Sequence, residues 1–193
     1  MIEYDKADIA SSYPALTSAE IAAILDKAYL ALIAQKLTGN NPRNIGFEGD
    51  NKAIEDVRKL IYTDTVTRDI YAATTALNEV VYGLPPNFLY YIDGAIKASD
   101  NLARVDLISH LDAKKFKRTI DNDPWMRNPV CYMENNGIHV LTTTFAPQNN
   151  IGDFNVTYVK TPIKFDFENS ASVDFELNDS MAEELINLAI IMA

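Results

Sequence analysis

Cysteine is almost absent from this chain of 193 residues. The single one, Cys131, excludes an intramolecular disulfide and any zinc site built from several cysteines. Histidine is nearly as scarce: His110 and His139 are the only two, and neither stands in a His-Glu-x-x-His or other metal-ligand spacing. Both read as structural or surface histidines. No Gly-x-Ser-x-Gly elbow is present, so a serine triad lacks its first member. Basic residues are outnumbered, 17 Lys and Arg against 27 Asp and Glu, and the net charge of −10 disfavours a nucleic-acid binder of the usual basic kind. Long apolar runs are missing too. The most apolar stretch, Ile21 to Leu37, is interrupted by Asp26, Lys27, Gln35 and Lys36 and falls short of a membrane span. The opening Met-Ile-Glu-Tyr-Asp-Lys has acidic residues where a secretory signal carries a basic one, and no apolar region follows. The expectation is a soluble intracellular product.

What is present reads as an ordinary folded chain, 48% hydrophobic and 23% charged. The expectation is a single α+β domain over 1–193: a helical part at 1–83, a β-rich part at 84–178 and a terminal helix at 179–193. Its organising stretch runs from Pro124 to Lys164. Val130-Cys131-Tyr132-Met133 and Ile138-His139-Val140-Leu141 flank Asn135-Asn136-Gly137, and Asn-Gly between two half-apolar runs is a strong hairpin signal. Cys131, alternating with Val130 and Tyr132, reads as a small buried hydrophobe. A third run, Phe154 to Lys160, closes at Thr161-Pro162.

Before the hairpin, Thr17 and Glu20 have the spacing of a capping box, and Gly39 supplies a helix stop. The helix between them is apolar around nearly its whole circumference, which predicts cover on more than one side, from the core or from another subunit. A second helix is expected from Asp50 or Asn51, with Ile54, Val57 and Ile61 on one face. Val66, Ile70, Ala73, Leu77, Val80 and Val81 recur at three-and-four spacing, which predicts a third helix despite five threonines between Thr63 and Thr75. Gly83-Leu84-Pro85-Pro86 ends it. A strand from Phe88, broken or bulged at Gly94, a turn at Ser99-Asp100-Asn101, a return strand over Ala103 to His110 and a basic helix over Asp112 to Arg118 follow. Beyond the hairpin come a polar loop, Pro147 to Asp153, and strand-like runs at Ile163–Phe167 and Val173–Leu177. A last helix is capped by Ser180 and Glu183, with Leu185, Ile186, Leu188, Ala189 and Met192 on its apolar face. In all, five or six strands are expected between Phe88 and Leu177.

Little here carries chemistry. The glycines of 39–50 are not followed by Gly-Lys-Ser/Thr, so no phosphate loop forms. Asp121-Asn122-Asp123 lacks the glycine and distal glutamate of a calcium loop. Glu183 and Glu184 suit a helix N-terminus better than acid–base catalysis. No catalytic, cofactor or metal residue is expected, and an enzyme ranks last among the readings. Two features suggest contacts with partners instead. Lys114, Lys115, Lys117 and Arg118 form a basic island in an acidic chain, suited to an acidic neighbour or DNA phosphates, or else a solvated helix face. Trp125, between Pro124 and Pro129, suits an interface anchor or packs on its own sheet. Leu30, on the over-apolar first helix, is a third contact candidate.

One resemblance runs along most of the chain. Thr17-Ser-Ala-Glu-Ile to Leu37-Thr-Gly, Leu-Pro-Pro-Asn-Phe-Leu, Asp-Pro-Trp-Met-Arg-Asn-Pro-Val, Gly-Ile-His-Val, Val-Thr-Tyr-Val-Lys-Thr-Pro and the closing Glu-Leu-Asn-Asp-Ser-x-Ala-Glu-Glu-Leu-Ile-Asn-Leu-Ala occur in that order. In this texture and element order the chain resembles virion proteins of crAss-like tailed bacteriophages, among them the ring proteins of the head-to-tail collar. The resemblance has no catalytic signature and carries over no functional residue. It implies a ring-forming connector below the portal, of twelve copies, touching itself and neighbouring portal, collar or tail proteins, with DNA passing nearby and no membrane. It also implies a virion location after synthesis in the bacterial host cytoplasm. The rival expectation is a β-rich module binding a carbohydrate or peptide, with Trp125, Tyr90 and Tyr91 as its platform.

Overall fold

Thr17 and Glu20 close the first helix as their spacing predicts. The Thr17 amide donates to Glu20 Oε2 at 2.8 Å, and the Glu20 amide returns a bond to Thr17 Oγ1 at 3.3 Å. The Thr17 amide and hydroxyl hold the Glu20 carboxyl below its ordinary value. In this computed structural model the helix, α1, spans Ser18–Thr38. The structure describes residues 16–38, 51–68, 78–98, 101–118, 124, 128–135, 137–143, 151–167 and 175–193. Gly39, Trp125 and the 121–123 loop lie outside them. The expected α+β fold is what forms: an N-terminal helix, two mostly antiparallel sheets and a C-terminal helix. The chain divides into two compact units, one of Met1–Leu60 with Pro162–Ala193, the other of Ile61–Thr161.

The first unit is helical. Beside α1 it holds α2, Asn51–Val57, and a 3-10 turn, Arg58–Leu60. Ala28, Tyr29, Leu32 and Ile33 of α1 are buried with Ala53, Val57 and Leu60. Lys36 sits among carboxylates, 3.0 Å from Asp56 and 3.0 Å from Glu184. Burial opposes its charge, but Asp56 and Glu184 outweigh that and hold the ammonium above its ordinary value.

The strands expected at Ile163–Phe167 and Val173–Leu177 do not form in the described residues; 163–167 and 175–177 run as irregular chain. Their backbone donors go to side chains instead of a ladder. The Phe165 amide donates to Asp26 Oδ1 at 2.9 Å and the Ile163 amide to Glu176 Oε2 at 2.8 Å, while Phe165 and Phe175 both pack on the Tyr29 ring. Of the alternating apolar residues here, Phe165, Phe175 and Leu177 are covered, whereas Ile163 and Phe167 stay exposed. The C-terminal helix, Asp179–Met192, also starts differently from expectation. Asn178 is its N-cap without a side-chain cap bond, and Ser180 lies inside the helix. The Asn178 amide group is spent on the Glu55 carbonyl at 3.4 Å.

The second unit is a three-layered β structure. One sheet has the order β1-β8-β3-β4, with β1 Ile61–Val66, β3 Phe88–Ala98, β4 Asn101–Arg104 and β8 Ile151–Lys160, all pairs antiparallel. The other has the order β2-β7-β6-β5, with β2 Glu79–Gly83, β5 Asp106–Leu107, β6 Val130–Glu134 and β7 Gly137–Leu141; only β5 and β6 are parallel. Val80 and Tyr82, Ile138 and Val140, and Cys131 from the second sheet meet Ile96, Phe154, Val156 and Tyr158 from the first in one buried core. The chain changes sheet between β4 and β5, and the Arg68–Tyr82 bridge links the run after β1 to the edge of the second sheet.

Three sequence expectations are corrected here. The helix over Val66–Val81 is not seen: β1 and β2 occupy its two ends, residues 69–77 being outside the described set. The threonines prefer the pleated surface, where Thr63 bonds Thr157 at 3.0 Å and Thr65 bonds Asn155 at 2.8 Å across paired strands. Ile61 accordingly belongs to β1 rather than to the second helix. The return strand expected over Ala103–His110 splits into β4 and the sheet-switching β5, and His110 opens a helix, α3, His110–Arg118. The polar loop after Pro147 ends sooner, because β8 begins at Ile151. The expected hairpin forms between β6 and β7, but Gly137, read as part of the turn, belongs to β7 and pairs with Glu134, and the positive φ, 52, falls on Asn135.

Burial in this core governs alkaline behaviour. It pushes the Cys131 thiol from an ordinary 9.0 up to about 12, and raises Tyr82 and Tyr91 in the same direction. An unfolded thiol ionises first, so this contribution to stability is complete below pH 9.0 and is lost as pH rises to about 12. A thiol reagent at pH ~8 is expected to label Cys131 only on unfolding, with the urea midpoint falling above pH ~9. Rapid labelling of a fully folded sample removes this account.

Candidate functional site

The second sheet carries a further layer on its outer face. Ala113 and Phe116 of α3 pack there with Tyr132, Leu141, Ile108 and Val130. Strand alternation puts Glu79 and Val81, His139 and Leu141, and Val130 and Tyr132 on this same face. Ser109 caps α3: its hydroxyl accepts from the Asp112 amide at 3.2 Å and donates to Asp112 Oδ2 at 2.8 Å. The helix is thereby fixed with one side on the sheet.

Beneath it lies the most concentrated electrostatic feature among the described residues. Glu79 is 1% exposed, and its Oε1 receives the Lys117 ammonium at 2.9 Å, His139 Nδ1 at 2.8 Å and the Tyr132 hydroxyl. Lys117 also donates to the Tyr132 hydroxyl and stands 4.7 Å above that ring. His139 stacks on Tyr132 with centroids 4.9 Å apart, and His110 meets it edge-on at 5.4 Å. Burial first, then the Glu79 carboxylate, push the Tyr132 phenol above its ordinary value. The phenol therefore remains a donor at neutral pH. The arrangement fastens α3 to the sheet with a buried charge pair and two aromatic contacts.

This divides the basic island. Lys117 points inward to Glu79. Lys115 pairs with Asp112 one turn back, at 2.7 Å. Lys114 faces solvent beside Leu111, which is 70% exposed. Arg118 closes the helix, and its side chain lies outside the described residues. Leu30 is 42% exposed on the other unit, whereas Trp125 lies outside the described residues.

Sequence reasoning missed Glu79, because a helical assignment hid its alternation with Val80 and Val81. A lone carboxylate inside the apolar run Glu79-Val-Val-Tyr82 was the available signal. Tyr91, expected on a binding platform, directs its hydroxyl to the Val105 carbonyl at 2.9 Å and packs against the core.

Among the described residues no group of three or more His, Cys, Asp or Glu side chains is placed to hold a metal ion, and no helix is long and apolar enough to cross a membrane. A cleft of about 280 Å³ on the helical unit runs between Ala19, Ala22 and Ala23 of α1 and Phe165–Phe167. Its one α1 carboxylate, Asp26, is occupied by the Phe165 amide. No protein-family model matches the chain, and no curated protein sequence matches it.

Proposed function

We propose that this chain is a structural virion protein, a ring-forming connector between the portal and tail of a tailed bacteriophage, with no catalytic role. The sequence resemblance suggests the class, and one structural observation supports it above others. The helical unit shows solvent several large aliphatic side chains: Leu30 on α1, and Ile186, Ile190 and Ile191 on the C-terminal helix. In a chain of net charge −10, such surfaces suit burial against further subunits. An acidic ring wall also disfavours adhesion of DNA passing through it. On this reading the ring holds twelve copies, contacts portal, collar or tail neighbours, and resides in the virion after assembly in the bacterial cytoplasm.

Native mass measurement and negative-stain imaging test the proposal. Rings are expected at micromolar protein, and a monomer at every concentration overturns it. Leu30→Asp is expected to weaken assembly by about tenfold or more with little change in the thermal melt, since Leu30 is already partly exposed. A variant that melts early while assembling normally returns Leu30 to the core.

A further inference from the structure

Two exposed helix faces in this chain complement one another. On α3, Leu111 and Lys114 lie three residues apart on the solvent side, and Leu107 on the preceding strand is also exposed. We label the C-terminal helix, Asp179–Met192, α4. Its solvent side carries Glu183, Ile186 and Ile190, again with the charged residue and the first aliphatic one three positions apart. Three residues advance about 4.5 Å along either axis. The charge lies toward the C-terminus on α3 and toward the N-terminus on α4. Laid antiparallel, the two faces set Lys114 against Glu183 and Leu111 against Ile186, with Ile190 toward Leu107.

We propose that α3 of one copy docks on α4 of a second copy through these residues, as one heterologous contact of the assembly. The inference rests on the ring reading and names its interface. Neither face is self-complementary: α3 offers a cation and α4 an anion, so the contact joins unlike patches and repeats head to tail. Glu184, the neighbouring acid, is held by Lys36 within its own unit and Lys115 by Asp112, which leaves Glu183 and Lys114 as the matched pair. Lys117 takes no part, being turned inward to Glu79.

Cysteine chemistry gives a direct test, because Cys131, the chain's one cysteine, is buried. Leu111→Cys and Ile186→Cys, made on separate chains and mixed under mild oxidation, are expected to yield a covalent dimer containing one of each. Either variant oxidised alone is expected to stay uncrosslinked. Charge exchange is the second arm: Lys114→Glu and Glu183→Lys each weaken assembly about tenfold at low salt, and the two together restore it. Rings that form without the mixed crosslink, or singles that the double reversal fails to rescue, overturn this interface and leave the ring reading standing. A crosslink confined to a chain carrying both cysteines does the same. A monomer at every concentration removes both.

Discussion

Replacing Glu79 with alanine is expected to destabilise the β unit by about 3–5 kcal/mol, read as a fall in the urea midpoint at unchanged slope. The magnitude comes from what the substitution leaves behind. Lys117, 20% exposed at its side chain, keeps its charge with no carboxylate at 2.9 Å, and Tyr132 and His139 lose their acceptor. Removing one member of a buried pair strands the other, whereas removing both together does not. Glu79→Gln keeps an acceptor oxygen and is expected to lose less. Glu79→Leu combined with Lys117→Met should recover the part of the deficit that comes from the stranded Lys117 ammonium, while Tyr132 and His139 still lack their acceptor. A loss below about 1 kcal/mol for Glu79→Ala would mean that water already serves Lys117 and His139, and that the cluster contributes little to holding α3.

The same network decides what α3 presents outward. Ala113, Phe116 and Lys117 are committed to the sheet, so Leu111 and Lys114 are left on the solvent side. Weakening the Glu79 cluster should therefore loosen assembly as well as the fold, whereas Lys114→Glu should loosen assembly alone. Reversing Lys114, Lys115, Lys117 and Arg118 together conflates the two effects, because Lys117 belongs to the interior.

Local signals in the sequence proved readable where neighbouring residues alone determine geometry. Thr17 and Glu20 satisfy each other three residues apart, and the hairpin of β6 and β7 turns with Asn135 at positive φ. The contact that decides elsewhere is distant in sequence. Val66–Val81 carries a helical period, yet β1 is drawn into a sheet by β8 about ninety residues on, and β2 by β7. Ile163–Phe167 alternates like a strand, but its Phe165 amide goes to Asp26 of α1 and its Ile163 amide to Glu176. The charged cluster was illegible for the same reason. Glu79, Lys117, Tyr132 and His139 come from three strands and a helix, and no spacing in the chain announces their meeting.

Gly94→Ala is expected to be the second most damaging of these changes, at about 2–3 kcal/mol, although a glycine within a strand usually gains from a side chain. The sequence suggested a break or bulge at Gly94. The strand instead runs through it: register shifts fall nearby, between Tyr91 and Asp93 and between Ile96 and Ala98, while Gly94 itself pairs with Val156. Its requirement is space. A methyl group there would overlap the edge of the Phe154 ring and stand 2.6 Å from the Tyr91 hydroxyl oxygen. Phe154 is fully buried against Tyr82, with centroids 5.3 Å apart, and Tyr91 is tied to the Val105 carbonyl, so neither moves cheaply. Phe154→Leu removes the obstructing ring edge and should itself cost about 1–2 kcal/mol through the cavity it leaves. The alanine methyl would then occupy part of that cavity. The double variant is therefore expected to be at least about 1 kcal/mol more stable than the sum of the two single losses allows. Thermal and urea melts of the four proteins measure this coupling directly. Strict additivity would show that Phe154 is not what excludes a side chain at Gly94, and would shift the cause to the Tyr91 hydroxyl.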